Sequence, residues 1–138
     1  MQETTIGRHR YRRRGDVLGL DFVGHISESD LRELREVMNS VLTESDHFFM
    51  ISDMSKCTGI DAAGRKYMGE WSKEQNGSNI ISVVHGVSFA TRVIVMLAIN
   101  AIKLLGKREV EMSFVKTEAE ALAWVDEQRA LRYPEYRP

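Results

Sequence analysis

The sequence has a single cysteine, Cys57, so it has no internal disulfide and suits a reducing compartment, with the cytoplasm as the expected location. Its two prolines, Pro134 and Pro138, both lie in the C-terminal tail, so no proline interrupts a helix or strand before that point. No apolar run reaches the roughly 20 residues that span a bilayer. The most apolar stretch, Val93 to Leu105, is broken by Asn100 and Lys103. The N-terminus, MQETTIGRHRYRRRG, lacks the apolar segment of a secretion signal, and none is expected. A net charge of −1 gives no global field towards nucleic acid or an acidic membrane. Gly-x-Gly-x-x-Gly, P-loop and Gly-x-Ser-x-Gly motifs are missing, which leaves nucleotide-binding and hydrolase readings without support. His9, His25, His47 and His85 are scattered, and no second cysteine could join them, so neither a metal nor a cofactor is expected. No catalytic residue is assigned, and the expectation is a protein that is not an enzyme.

What is present is a pattern of alternating strands and helices. A chain of 138 residues, 43% hydrophobic and 28% charged, can build one core without a covalent or metal staple, so a single domain over 1–138 is expected. Residues 1–7 are expected to be a loose leader. Arg8–Arg14 and Val17–Ile26 flank a Gly15-Asp16 turn and predict a hairpin whose first strand is a sheet edge. Ser27 predicts a helix cap, with Asp30 completing an imperfect capping box. Leu31, Leu34, Met38, Val41 and Leu42 recur at helical spacing and predict a helix over Glu28–Leu42. Phe48–Ser52 is apolar without alternation, as in a central parallel strand.

A helix is predicted from Asp61 to Glu74, with Tyr67, Met68 and Trp71 inward and Asn76-Gly77 ending it. Next come a strand at Ile80–Val84, a helix at Phe89–Leu105 and a strand at Glu109–Val115. A capping box at Thr117–Glu120 opens a last helix to about Arg129, and 130–138 is an irregular tail. The order β-β-α-β-α-β-α-β-α predicts an α/β fold, a mixed and mostly parallel sheet with packed helices.

Two stretches are candidates for function. The first is a polar loop after the central strand, carrying Asp53, Ser55, Thr58, Asp61, Gly64 and Arg65 where a strand hands over to a helix. Ligands and partners are received at such places in open α/β sheets. Asp61 is expected to be the helix N-cap, and Cys57 an ordinary small loop residue with no base to activate it. The second is the helix after Ser88, which is apolar nearly all round. Its Phe89, Val93, Met96, Ile99 and Asn100 mark a face for a partner protein, a second copy in a homodimer, core packing or an apolar ligand. Arg8, Arg10, Arg12, Arg13 and Arg14 are interleaved with one aromatic, Tyr11, and are expected to form a solvated edge rather than a nucleic-acid site.

With these residues placed, the chain resembles a STAS domain of the SpoIIAA-like divergent branch. That is the fold of anti-sigma-factor antagonists and of the cytoplasmic ends of sulfate transporters. The element order carries the resemblance, and so does Asp53-Met54-Ser55 followed by Asp61-Ala62-Ala63-Gly64, the two aspartates eight positions apart. The distal stretch Phe114…Glu120-Ala121-Leu122-Ala123-Trp124-Val125 is similar to the C-terminal helix of an uncharacterised branch whose shape is close to lipid-carrying SEC14-type domains. The resemblance implies a non-catalytic regulatory module with a protein partner. The alternative is a domain that binds lipid or another small apolar ligand on the face of helix 89–105. In the regulatory family a serine of Asp-Ser-Ser-Gly accepts phosphate. Here Ala62 and Ala63 carry no hydroxyl, so the nearby acceptors would be Ser55 and Thr58.

Overall fold

The computed structural model describes residues 3–74, 80–93, 96–97 and 112–136. Its elements are β1 (Glu3–Ile6), β2 (His9–Arg14), β3 (Val17–Ile26), α1 (Glu28–Glu44), β4 (Phe48–Ile60), α2 (Ala62–Glu74), β5 (Ile80–His85), β6 (Met112–Val115) and α3 (Glu118–Arg132). Residues 89–93 and 96–97 are also helical. The six strands lie in sequence order, β1-β2-β3-β4-β5-β6. The first three pair antiparallel, and β3 to β6 pair parallel. When parallel strands add one after another, right-handed crossovers put successive helices on one face. Accordingly α1 and α2 share one face, where Leu31, Leu34, Met38, Tyr67 and Trp71 meet Leu18, Leu20 and Phe48. The opposite face is covered by α3, whose Ala121 and Val125 pack with Phe49, Ile51, Ile81 and Val83.

The N-terminus departs from expectation. Glu3–Ile6 is not a loose leader but a strand paired with β2, because Ile6 fits beneath α1 and is 5% exposed. The edge therefore moves outward to β1. The arginines of β2 and its turn are largely matched by carboxylates: Arg10 with Glu3, Arg12 with Asp21 and Glu118, and Arg13 with Glu44. The Gly15-Asp16 turn joins β2 to β3, with Arg14 opposite Val17.

The second departure concerns the central strand. The polar stretch after Ser52 is not a loop. β4 runs on to Ile60, because β3 is long enough to pair its far half with Lys56, Cys57, Gly59 and Ile60. Register shifts between Asp21 and Val23 and between Gly24 and His25 break the alternation that would have marked a strand. β5 stops opposite Asp53, so beyond that point β4 and β3 continue as a two-stranded ribbon.

Helix starts are fixed as the sequence suggests. Ser27 Oγ accepts from the Asp30 amide at 3.1 Å, and Asp30 Oδ2 accepts from the Ser27 amide at 3.1 Å, so aspartate does close the capping box. The His9 Nδ1 atom accepts from the Val23 amide at 2.9 Å, which leaves Nε2–H to donate to Asp30 Oδ2 at 3.0 Å. Thr117 Oγ1 accepts from the Glu120 amide, while Glu120 reaches back to the Lys116 amide instead of that of Thr117. α1 runs two residues past its expected end, and α3 runs to Arg132, so 130–132 are helical. The expected Asn76-Gly77 stop, most of helix 89–105 and residues 109–111 lie outside the described residues.

Candidate functional site

Every crossover begins at the same edge of the sheet, the C-terminal ends of β3 to β6. At that edge β4 contributes Asp53 and β5 contributes its register partner His85. Asp53 Oδ1 accepts from the Ser55 amide at 2.9 Å, and His85 Nδ1 lies 4.0 Å from the same oxygen. Burial pushes the Asp53 carboxyl up. The Ser55 amide and hydroxyl, with the charges of His85 and Lys56, outweigh it and hold the carboxyl below its ordinary range. Asp53 is therefore an anion fixed in place at neutral pH.

The turn after β5 presses against this carboxylate. Gly86 has φ 78°, and a Cβ there would stand 2.8 Å from Ser55 Cβ and 3.0 Å from Asp53 Oδ1. Only glycine fits both the backbone and the space. Ser88 caps the helix that follows, its Oγ accepting from the Thr91 amide at 3.2 Å. The helix that opens at Phe89 thus starts directly beside Asp53 and Ser55.

On the other side, Asp61 is the N-cap of α2. Its Oδ1 accepts from the Gly64 amide at 2.6 Å, and its carbonyl accepts from the Arg65 amide at 2.9 Å. His25 Nε2 lies 3.3 Å from Asp61 Oδ2. Gly64 is tightly packed: a Cβ would meet Ile60 Cγ2 at 2.9 Å and Leu31 Cδ1 of α1 at 3.3 Å. Arg65 is exposed, with Nη1 donating to the Ile60 carbonyl at 2.9 Å. Ser55 and Thr58 are exposed on the ribbon, and Ala62 and Ala63 are exposed at the helix start. Cys57 points to the core face, half-buried against the α1–α2 cluster.

The loop candidates Asp53, Ser55, Asp61, Gly64 and Arg65 thus share one end of the molecule, with Thr58 between them on β4. His85 and Gly86 belong to the same end and were not singled out from the sequence. The register of β5 against β4 is what brings them in, and it is invisible without the fold. In the second candidate region, Phe89 is 82%, Val93 41%, Met96 40% and Leu97 65% exposed. At i, i+4, i+7 and i+8 these four form one apolar stripe. Ile99 and Asn100 lie outside the described residues. An open groove of about 560 Å³ lies elsewhere, between α1 and β1–β3, lined by Ile6, Tyr11, Arg13, Leu18, Glu36 and Val37 among others. Among the described residues no three His, Cys, Asp or Glu side chains converge as metal ligands, and no helix is long and apolar enough to cross a membrane.

A second polar cluster lies at the opposite end of the sheet. Asp16, 1% exposed, accepts from Arg129 Nη2 at 2.6 Å and Nε at 3.0 Å, and its Oδ2 lies 2.9 Å from His47 Nε2. The His47 ring stacks on Tyr133 at 3.7 Å. This cluster ties the end of α3 to the starts of β3 and β4. Sequence reading placed Asp16 only in a turn and His47 only among scattered histidines.

Solved structures share this architecture at low sequence identity. SpoIIAA, an anti-sigma factor antagonist, in its unphosphorylated form superposes with a TM-score of 0.60 and 12% identity over 86% of this chain and 97% of that one. The fold is that of SpoIIAA. A DUF3478-family protein of Shewanella loihica, described as having a SpoIIAA-like fold, gives a TM-score of 0.61 and 15% identity over 83% of this chain and 88% of that one. A candidate anti-sigma factor antagonist from Thermotoga maritima gives 0.56 and 15% over 84% and 92%. No family model matches the chain, and no curated protein sequence does. The STAS-like, SpoIIAA-like architecture implied by the residues is therefore present, carried by topology rather than by sequence identity.

Proposed function

We propose that this chain is a non-catalytic regulatory domain that binds a partner protein at the C-terminal end of its parallel strands. The docking surface comprises the ribbon and helix start from Asp53 to Arg65, together with the exposed stripe of the helix that opens at Phe89. The observation that carries this reading is the stripe itself. Four large apolar side chains stand in solvent beside a rigid, hydrogen-bonded strand end. Isolated exposed apolar residues are ordinary, but a contiguous set marks a contact surface. The likeness to anti-sigma factor antagonists supports a protein as the partner.

SpoIIAA has been solved in a phosphorylated form. In this chain Ala62 and Ala63 cannot accept phosphate, so partner binding is constitutive or is governed by something other than that modification. A lipid-binding role would need the stripe to line an enclosure. These residues face outward, and the 560 Å³ groove is lined by other elements. The lone Cys57 supports a reducing, cytoplasmic setting.

Photo-crosslinking tests the reading. A p-benzoylphenylalanine placed at Phe89 and, separately, at Lys66 should capture one and the same protein, and the same probe at Glu36 on α1 should not. Failure of both the Phe89 and Lys66 probes to give a protein adduct would remove the proposal.

A further inference from the structure

We infer that the partner presents an acidic amphipathic segment, in which apolar residues lie on the Phe89 stripe and flanking carboxylates meet a ring of cations. This rests on the docking reading above and names the chemistry of its partner. The cations are Lys56 on the ribbon, Arg65 and Lys66 in the first two turns of α2, and Arg92 in the first turn of the helix that opens at Phe89. All four are exposed. Contact of Gly86 with Ser55 and Asp53 places that helix start against the ribbon, so the cations and the stripe belong to one surface.

The four exposed cations outnumber the three carboxylates near them, Asp53, Asp61 and Glu70, two of which are turned onto backbone amides. Asp53 is held by the Ser55 amide, and Asp61 by the Gly64 amide and by His25. Glu70 lies a turn beyond Lys66 along α2, away from the sheet end. The first turn of α2 has no acidic residue beyond its N-cap, Asp61. Arg65 spends one donor on the Ile60 carbonyl, and a guanidinium has five. Arg92 lies over the Phe114 ring with its charge centre 5.2 Å from the centroid, which fixes its direction. A basic partner segment would meet like charges here, and an acidic one would be steered in.

Two synthetic helical peptides with the same leucine spacing test this, one carrying glutamate and the other lysine at the remaining positions. They are titrated into the full chain and followed by amide NMR. The glutamate peptide should shift amides of residues 54–66 and 87–93 and bind about tenfold more tightly than the lysine peptide, with the gap closing at high salt. Lys56→Glu with Lys66→Glu should abolish that preference, and Phe89→Ser should weaken both peptides. Equal binding of the two peptides, shifts confined to other surfaces, or no binding by either would overturn the inference. If crosslinking at Phe89 and Lys66 still captures one protein in that case, the docking reading stands without the acidic partner.

Discussion

Asp16 shows how much can depend on a turn residue. Its carboxylate is almost wholly buried and serves both Arg129 and His47. Burial pushes its pKa up, but the hydrogen bonds and charges of Arg129 and His47 bring it below the ordinary carboxylate range. A depressed carboxylate contributes stability above its unfolded pKa, near ~3.9, and that contribution is lost as pH falls through the lower folded value. Asp16→Asn should therefore cost about 1–3 kcal/mol in urea unfolding at neutral pH, because it removes the buried charge that Arg129 and His47 bond, while Arg129 keeps Asp126. It should also flatten the acid limb of the stability profile relative to the unsubstituted chain. A loss under 1 kcal/mol would show that Arg129 finds water or another acceptor. Asp61 makes the opposite kind of case. Its bond to the Gly64 amide is that of an N-cap. Asp61→Ala should lower stability by about 1 kcal/mol, and Asp61→Asn by only a few tenths, since asparagine caps comparably. If both variants keep partner binding, the residue is structural; a binding loss in Asp61→Asn, which keeps the cap but not the charge, would assign that charge to recognition.

At the scale of elements, β4 and α3 are the ones that differ from their sequence appearance. β4 alternates poorly beyond Asp53 because its pairing with β3 slips register twice, so a polar, hydroxyl-rich strand looks like a loop. The consequence for function is stiffness. Ser55 and Thr58 are carried on a hydrogen-bonded ribbon rather than a free loop. α3 buries few large side chains, Ala121 and Val125 being the fully covered pair, and its far end is held by the Asp16–Arg129 pair and the Tyr133 stack. The helix that opens at Phe89 is unlike either. Phe89→Ser and Leu97→Ser remove side chains that are mostly in water, so each should change stability by no more than about 0.5 kcal/mol. Phe49→Ala, fully buried under α3, should cost about 3–5 kcal/mol. Thermal or urea unfolding of the three variants checks the contrast. A large loss in Phe89→Ser would make the stripe part of the core and take away the docking surface.

Among the described residues, the molecule is a sheet built in chain order with a polar cluster at each of its two ends. At one end, buried ion pairing joins the N-terminal starts of β3 and β4 to the last helix. At the other, strand ends and helix starts present fixed carboxylates, exposed cations and an apolar stripe. The first arrangement holds the fold together. The second is the exposed end on which the docking proposal rests.

Much of this was legible in the residues. Apolar periodicity of 3.6 marked α1 and α2, and mostly apolar runs marked β5, where only Ser82 interrupts Ile80–Val84, and the first half of β4, because burial imposes those spacings on any sequence that folds this way. Ser27, Asp61 and Thr117 announced helix starts, since free backbone amides need a local acceptor. The Asp53 and Asp61 pattern marked one end of the sheet, where both residues lie. What only the tertiary structure decided was pairing. A short polar segment such as Glu3–Ile6 becomes a strand only when β2 supplies its hydrogen bonds. His85 joins Asp53, and Arg129 joins Asp16 across 113 positions, only when register and packing bring them together. Whether an apolar helix face is core or surface is likewise a property of its neighbours. Local sequence sets what each segment can form, and long-range contacts, which the chain order does not encode in any window, decide which groups meet.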